Sequence, residues 1–210
     1  MGIIKDYMNQ TRKPEGILGK MMILGMNMGH AGMAKWGTSF LDVRPPEQIV
    51  DLGCGGGSNL MALALKYPES TVTGVDYSPL SVKKSKEKNK VLIAAGKCSV
   101  QQGDVAALTL ADETFDLATA YETIYFWPGL EKCFAEVARV LKPDGTFMIV
   151  NEADGYDAAT KKYEDIIDGM KVYTPGQIEE ALLTAGFEDV KSYHHGKKPW
   201  ITVIAKKKKQ

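Results

Sequence analysis

The chain has 210 residues, 44% of them hydrophobic and 25% charged, which is enough apolar side chain for one compact domain with at most a small appendage. Its 26 lysines and arginines balance 26 aspartates and glutamates, so no global field gathers a polyanion and nucleic acid is not expected as the main substrate. Cys54, Cys98 and Cys133 are too few and too scattered for a disulfide framework or a Cys-x-x-Cys metal site. Residues 1–15 lack the pattern of a secretory leader, and the most apolar early stretch, Ile17 to Met28, is short and broken by glycines; the expectation is a cytoplasmic chain with no membrane span.

Residues 1–47 carry Met21, Met22, Met26, Met28 and Met33 with glycines interspersed from Gly16 to Gly32. One or two short helices are expected there, packed over something either as core filler or as an adaptable lid, or serving as a dimer contact; monomer and homodimer both remain open. From residue 48 short β-rich runs alternate with amphipathic segments, the pattern of successive βαβ units. Strands are expected at Gln48–Leu52, Thr71–Asp76, Cys98–Gly103, Thr114–Tyr121 and Thr146–Glu152. Helices are expected at Asn59–Tyr67, Pro79–Ala94 after a Ser78 cap, and Leu130–Leu141 before the turn Lys142-Pro143-Asp144-Gly145. A polar stretch from Ala153 to Val172 precedes a helix capped at Thr174-Pro175. The last two strands, Glu188–His195 and Trp200–Lys206, are joined too tightly for a parallel crossover and should pair antiparallel. The basic tail Lys206 to Lys209 reads as a solvated end.

The first chemical signal is Asp51-Leu52-Gly53-Cys54-Gly55-Gly56-Gly57, directly after the first strand, where open α/β sheets bind ligands. Glycine at 53, 55 and 57 lets the main chain turn sharply and come close to a ligand. Alone this fits nucleotide, dinucleotide and flavin sites alike, and Ser58 meets the Gly-x-Gly-x-x-Gly/Ala pattern only loosely. The second signal is Asp76 at the end of strand two, placed to accept hydrogen bonds from both ribose hydroxyls of a nucleoside. The third is Gly103-Asp104-Val105 after strand three. Asp104 has two readings there, contact with an adenine edge or capping of the following turn.

In order, Asp51-x-Gly53-x-Gly55-x-Gly57, Gly74-Val75-Asp76-Tyr77-Ser78, Gln102-Gly103-Asp104-Val105, Phe115-Asp116-Leu117-Ala118 and Leu141-Lys142-Pro143-Asp144-Gly145 resemble the class I S-adenosylmethionine-dependent methyltransferases that act on small molecules. Asp144 stands where that family often has glycine. The resemblance implies an α/β, Rossmann-like, doubly wound sheet of seven strands, mostly parallel with an antiparallel last strand, in three α/β/α layers. Residues 48–210 would form that domain and 1–47 a helical segment covering the substrate. It further implies S-adenosylmethionine as cofactor: Gly53, Cys54, Gly55 and Gly57 against its methionine part, with Asp51 positioning that end or holding the loop. Asp76 would bind the ribose, Tyr77 would lie along the adenine, and Gly103, Asp104 and Val105 would border it.

Methyl transfer from a sulfonium needs positioning and exclusion of water more than acid or metal catalysis. A base for the acceptor's proton is expected near the end of strand four, where Tyr121 and Glu122 stand among Tyr125, Phe126 and Trp127. Glu122 is the candidate base. Tyr121 would border cofactor and acceptor together. The aromatic residues either hold a cationic acceptor or pack under the next helix. His30, in Asn27-Met28-Gly29-His30-Ala31-Gly32, either faces the acceptor or caps and packs. His194 and His195 face opposite ways on a strand, and no metal is expected. The acceptor should be a small molecule, because the Asn/Asp-Pro-Pro-Tyr/Phe segment of base-methylating enzymes is absent from this point. A nicotinamide-dependent oxidoreductase and a cofactor-binding module without transfer activity are the alternatives.

Overall fold

The structure, a computed structural model, describes residues 2–12 and 14–209. Seven strands form one sheet: β1 (Gln48–Leu52), β2 (Thr71–Asp76), β3 (Cys98–Gln102), β4 (Phe115–Tyr121), β5 (Leu141–Asn151), β6 (Phe187–His194) and β7 (Ile201–Lys207), in the order β3-β2-β1-β4-β5-β7-β6. β1 pairs in parallel with β2 and β4, β2 with β3, and β4 with β5, whereas β7 runs antiparallel between β5 and β6. The order reverses beside β1, which opens a crevice at its carboxyl end. This is the Rossmann-like, doubly wound mixed sheet that the sequence implied.

Both faces of the sheet are covered. Val50 and Leu52 of β1 pack with Phe147 and Ile149 of β5 beneath the helices α7 (Leu130–Val140) and α9 (Pro175–Thr184). Ile49, Leu117 and Met148 face the other way, toward α3 (Ala31–Thr38), α4 (Ser58–Lys66) and α5 (Pro79–Lys88). The period of two along each strand therefore feeds two apolar layers, and each fully buried Leu, Ile or Phe contributes about 1.5–3 kcal/mol. Asp51 shares the face of Ile49 and lies beside Thr119 of β4. Asp116 accepts the N–H groups of Glu47 and Gln48 and pairs with Lys142, tying the entry of β1 to the segment that begins β5.

Four details differ from the sequence expectation. The helix expected over 79–94 is two helices, α5 and α6 (Lys90–Ala94), because the buried Asn89 turns its Nδ2 onto the carbonyls of Gly57 and Ser85, each at 3.0 Å. β5 begins at Leu141, which pairs with Phe115 before Leu117 pairs with Thr146, so the turn residues 142–145 bulge from a strand already under way. The polar stretch after β5 contains α8 (Ala158–Ile166). The amino-terminal segment forms α1 (Gly2–Asn9), α2 (Gly16–Gly29) and α3 where one or two helices were expected. Met22 and Met33 of this segment are buried and Met21 is exposed; the side chains of Met26 and Met28 lie outside the described residues.

The lysine tail is more than a solvated end. Lys206 donates to the Asp144 carbonyl at 3.1 Å, the buried Lys207 to the Leu141 carbonyl at 2.8 Å, and Lys209 pairs with the Asp144 carboxylate at 3.5 Å. These bonds hold the bulge in which Asp144 takes a left-handed φ of 66°.

Candidate functional site

A cavity of about 830 Å³ opens at the carboxyl ends of β1, β2 and β4, roofed by Thr11, Arg12 and Pro14 and flanked by α3. Its floor is main chain. Gly53 and Cys54 both donate to the Val75 carbonyl, at 2.8 and 3.0 Å, and Gly57 closes the turn on the Cys54 carbonyl at 2.9 Å. Gly53 and Gly57 take φ of 77° and 78°. A side chain at 53 would run into Thr123, and one at 57 into Ser85 and Asn89, whereas one at Gly55 would meet nothing within 4 Å. α4 begins at Ser58, so its first free N–H groups stand at this wall.

Asp76 spans two loops: one carboxylate oxygen accepts from Gly55 N–H and the other from Ser78 N–H, both at 2.8 Å. Burial raises its pKa, and these bonds work against the rise. Asp104 accepts from Ala106 N–H at 2.9 Å, so it caps its own turn, and it also borders the cavity. Gly103, Val105 and the exposed Tyr77 complete that end. Asp51 and Gly57 are not at the cavity surface. Asp51 is buried behind it, with one oxygen taking the Thr119 hydroxyl at 2.7 Å and the other without a hydrogen-bond partner among the described residues. Desolvation pushes its pKa up to about 7, against the Thr119 bond and with help from the charge of Asp76.

At the other end Glu122 takes a left-handed φ of 59°, which costs a residue with a Cβ about 1–2 kcal/mol. One of its carboxylate oxygens accepts from Glu152 N–H and, at 3.2 Å, from the Tyr125 hydroxyl. Burial, followed by the neighbouring charge of Glu152, holds its pKa well above the ordinary carboxylate range. The Thr38 hydroxyl donates to the Ala34 carbonyl at 2.7 Å, so in the 2.8 Å contact between Thr38 and Tyr121 the Tyr121 phenol is the donor. Desolvation raises that phenol's pKa further and keeps it neutral.

His30 precedes α3, makes no side-chain cap, and reaches the cavity with Nε2 3.8 Å from Glu152 Oε2. Among the described residues, His30, Glu122 and Glu152 bring one donor atom each within 4.8 Å of one another, a set with the donor types of either a proton relay or a cation site. His195 instead packs edge-on against Trp36 and Trp200. Of the aromatic residues after β4, Tyr125 is buried and Trp127 stacks with Phe147 and meets Phe134, so core packing claims these two rings; Phe126 and one edge of Trp127 still border the cavity.

Thr38, Thr123, Asn89 and Glu152 were not singled out by sequence. Thr123 accepts from Trp127 Nε1 at 3.1 Å while filling the space that Gly53 leaves. α1 and the segment after it are held by Asp168: its carboxylate pairs with Lys5 at 2.9 Å, it exchanges two hydrogen bonds with Asn9, at 3.1 and 2.8 Å, and its carbonyl accepts from Arg12 at 3.4 Å.

A methyltransferase-domain family matches residues 50–149. "Sterol methyltransferase-like 2" of Botryococcus braunii is 34% identical over 157 residues, covering 70% of this chain and 40% of that protein. "Cycloartenol-C-24-methyltransferase 1" of Oryza sativa subsp. japonica is 31% identical over 157 residues, covering 70% of this chain and 45% of that protein. The chain thus spans less than half of the length of these curated relatives. Among solved structures, a Haloferax volcanii protein in complex with the methyltransferase activator Trm112 superposes with a TM-score of 0.80 at 20% identity, covering 91% of this chain and 96% of that one. Human N-acetylserotonin methyltransferase in complex with S-adenosylmethionine gives 0.74 at 18% identity, covering 89% and 55%. At these identities the structural likeness is one of fold.

Proposed function

We propose, for a chain whose residues 50–149 place it among the class I S-adenosylmethionine-dependent methyltransferases, that it transfers a methyl group from S-adenosylmethionine to an N, O, S or C nucleophile of a small molecule. The observation that carries this reading is the convergence on one cavity of the glycine turn, Asp76, Asp104 and Glu122. The residues fit the cofactor: there is open space over Gly55, a carboxylate at 76 locked in place by two N–H groups, and a partnerless oxygen on buried Asp51 behind the loop. The names of the sterol-methylating relatives support a small acceptor rather than a nucleic acid. No helix among the described residues is long and apolar enough to cross a membrane.

When bound, S-adenosylmethionine supplies a methyl group on a sulfonium sulfur, open to in-line displacement by an aligned lone pair. Gly53, Cys54 and Gly55 form the wall for its methionine part, with Gly57 and Asp51 holding that wall from behind. Asp76 serves the ribose, and Tyr77, Gly103, Asp104 and Val105 serve the adenine. Glu122 takes the acceptor's proton as the new bond forms. Its raised pKa makes it a stronger base than an ordinary carboxylate, and the strained backbone beneath it fixes where the carboxylate stands. Tyr121, whose proton is committed to Thr38, positions the acceptor without exchanging a proton with it. Residues 1–47 act as the cover that excludes water, fastened through Asp168, with His30 at the acceptor side.

Incubation with methyl-labelled S-adenosylmethionine and a small-metabolite extract tests the proposal. Label should enter a small-molecule fraction with the wild-type protein, and far less with Glu122→Gln. Label confined to macromolecules, or none at all, would count against it.

A further inference from the structure

The cavity is sorted by charge. Its acids each grip a backbone N–H: Asp76 those of Gly55 and Ser78, Asp104 that of Ala106, Glu122 that of Glu152. Arg12 stands in the roof with its guanidinium donating to the Asp168 carbonyl at 3.4 Å, and two further cations occupy a different wall, Lys35 in the last turn of α3 and Lys66 in the last turn of α4. Among the described residues neither has a carboxylate within ion-pairing distance, in contrast to Lys84, Lys97 and Lys142, which do.

A lysine in a last turn complements the helix dipole wherever it points, so that effect leaves unexplained why both lysines border one cavity. The surface between them is small and mixed. α3 turns Ala31, Ala34 and Thr38 inward and α4 turns Asn59 and Ala62 inward, at the three- and four-residue spacing that makes one face of a helix. Alanine at these positions leaves width for a ligand where leucine would fill it. Lys66 Nζ stands 5.4 Å from the centre of the Tyr67 ring. Thr38, three residues beyond Lys35 in α3, is hydrogen-bonded to Tyr121 at 2.8 Å, so the α3 side of this wall borders the end where Tyr121 stands.

We propose that this wall is an acceptor subsite for a small molecule bearing a carboxylate or phosphate group. Lys35 and Lys66 hold the anion, the alanine-lined strip takes a short apolar stem, and the nucleophile at the other end faces Glu122. This rests on the methyltransferase reading for the identity of the neighbouring ligand, while the subsite itself rests on the sorted charges. The acids of the cofactor end repel an anionic acceptor from the wrong end, so the same charges that attract it also set its direction.

Calorimetric titration of octanoate, octyl phosphate, octanol and octylamine into the protein, alone and saturated with S-adenosylhomocysteine, tests the proposal. At least one of the two anions should bind about tenfold more tightly than the alcohol and the amine. The Lys35→Gln/Lys66→Gln double variant should lose about that factor for the anion, with S-adenosylhomocysteine affinity unchanged, and added salt should weaken the wild-type anion binding. Octylamine or octanol binding as tightly as both anions would overturn the subsite, as would a double variant with undiminished anion affinity. Failure of S-adenosylhomocysteine to bind would overturn the methyltransferase reading alone, since the titration of the protein without it still decides the subsite.

Discussion

The proposed cofactor end of the cavity and the proposed acceptor end are held by different kinds of contact. At the cofactor end the wall is backbone: Gly53 and Cys54 on the Val75 carbonyl, Gly57 on Cys54, and Asp76 across two loops. At the proposed acceptor end side chains reach remote segments: Tyr121 meets Thr38, 83 positions away, and Glu122 accepts the Glu152 N–H, 30 away. Backbone walls tolerate almost no change in shape and suit a ligand that never varies. Side-chain walls carried partly by a separate arm can be altered residue by residue, which suits the acceptor, the part of the reaction that differs among relatives of one fold.

The sharpest way to break this contrast is at the glycines. Gly53→Ala forces a Cβ into Thr123 at a left-handed φ, and should lower S-adenosylhomocysteine affinity by more than about 100-fold and reduce the melting temperature markedly. Gly55→Ala meets no neighbour and should lose only about 1 kcal/mol of stability for its φ. Equal loss of stability in the two variants, measured by thermal unfolding, would remove the distinction between a packed wall and an open one.

Glu122→Gln should act on the other end alone. Turnover should drop about 10²- to 10⁴-fold while cofactor affinity measured by calorimetry stays within about twofold. A base works when deprotonated, so wild-type turnover should climb with pH through the raised pKa of Glu122, and the variant should show no such limb.

Asp51 lies behind both ends and offers a test through stability. Its pKa is up to about 7 in the fold from 3.8, so the folded chain holds this proton more tightly than the unfolded one. Stability from this group is full below about pH 4 and is lost as pH rises toward 7. Asp51→Asn should flatten the melting temperature over that window and be more stable at pH 8, by on the order of 2 kcal/mol. A variant with the wild-type pH profile would contradict the unpartnered buried carboxylate.

The smallest expected effect is that of Tyr121→Phe. Losing the bond to Thr38 should cost about 1 kcal/mol of stability and raise the acceptor KM a few-fold, with cofactor affinity unchanged. A kcat loss as large as that of Glu122→Gln would make Tyr121 part of the proton transfer instead.

Legibility in the sequence follows the same division. The sheet, its antiparallel finish and the glycine turn were readable because each constraint is local: period-two apolar runs, a connection too short to cross over, and glycines where φ turns positive. The break at Asn89 was hidden, because its cause is the Gly57 carbonyl, 32 positions away. The early start of β5 was hidden behind a turn motif, since what extends the strand is the pairing of Leu141 with Phe115. Thr38 and Glu152 sit in segments with no motif and gain their place only when Tyr121 and Glu122 are brought beside them. Lys35 and Lys66 look like ordinary solvated lysines until one cavity is seen to join their helices.

The central claim is that the backbone-walled end is built for S-adenosylmethionine. Calorimetric titration of S-adenosylmethionine, S-adenosylhomocysteine and reduced nicotinamide dinucleotide into the wild-type protein tests it most directly. One site per chain is expected for the first two ligands, each displacing the other, and no heat from the third. Absence of binding by both S-adenosyl compounds, or binding of the nicotinamide dinucleotide in their place, would contradict it.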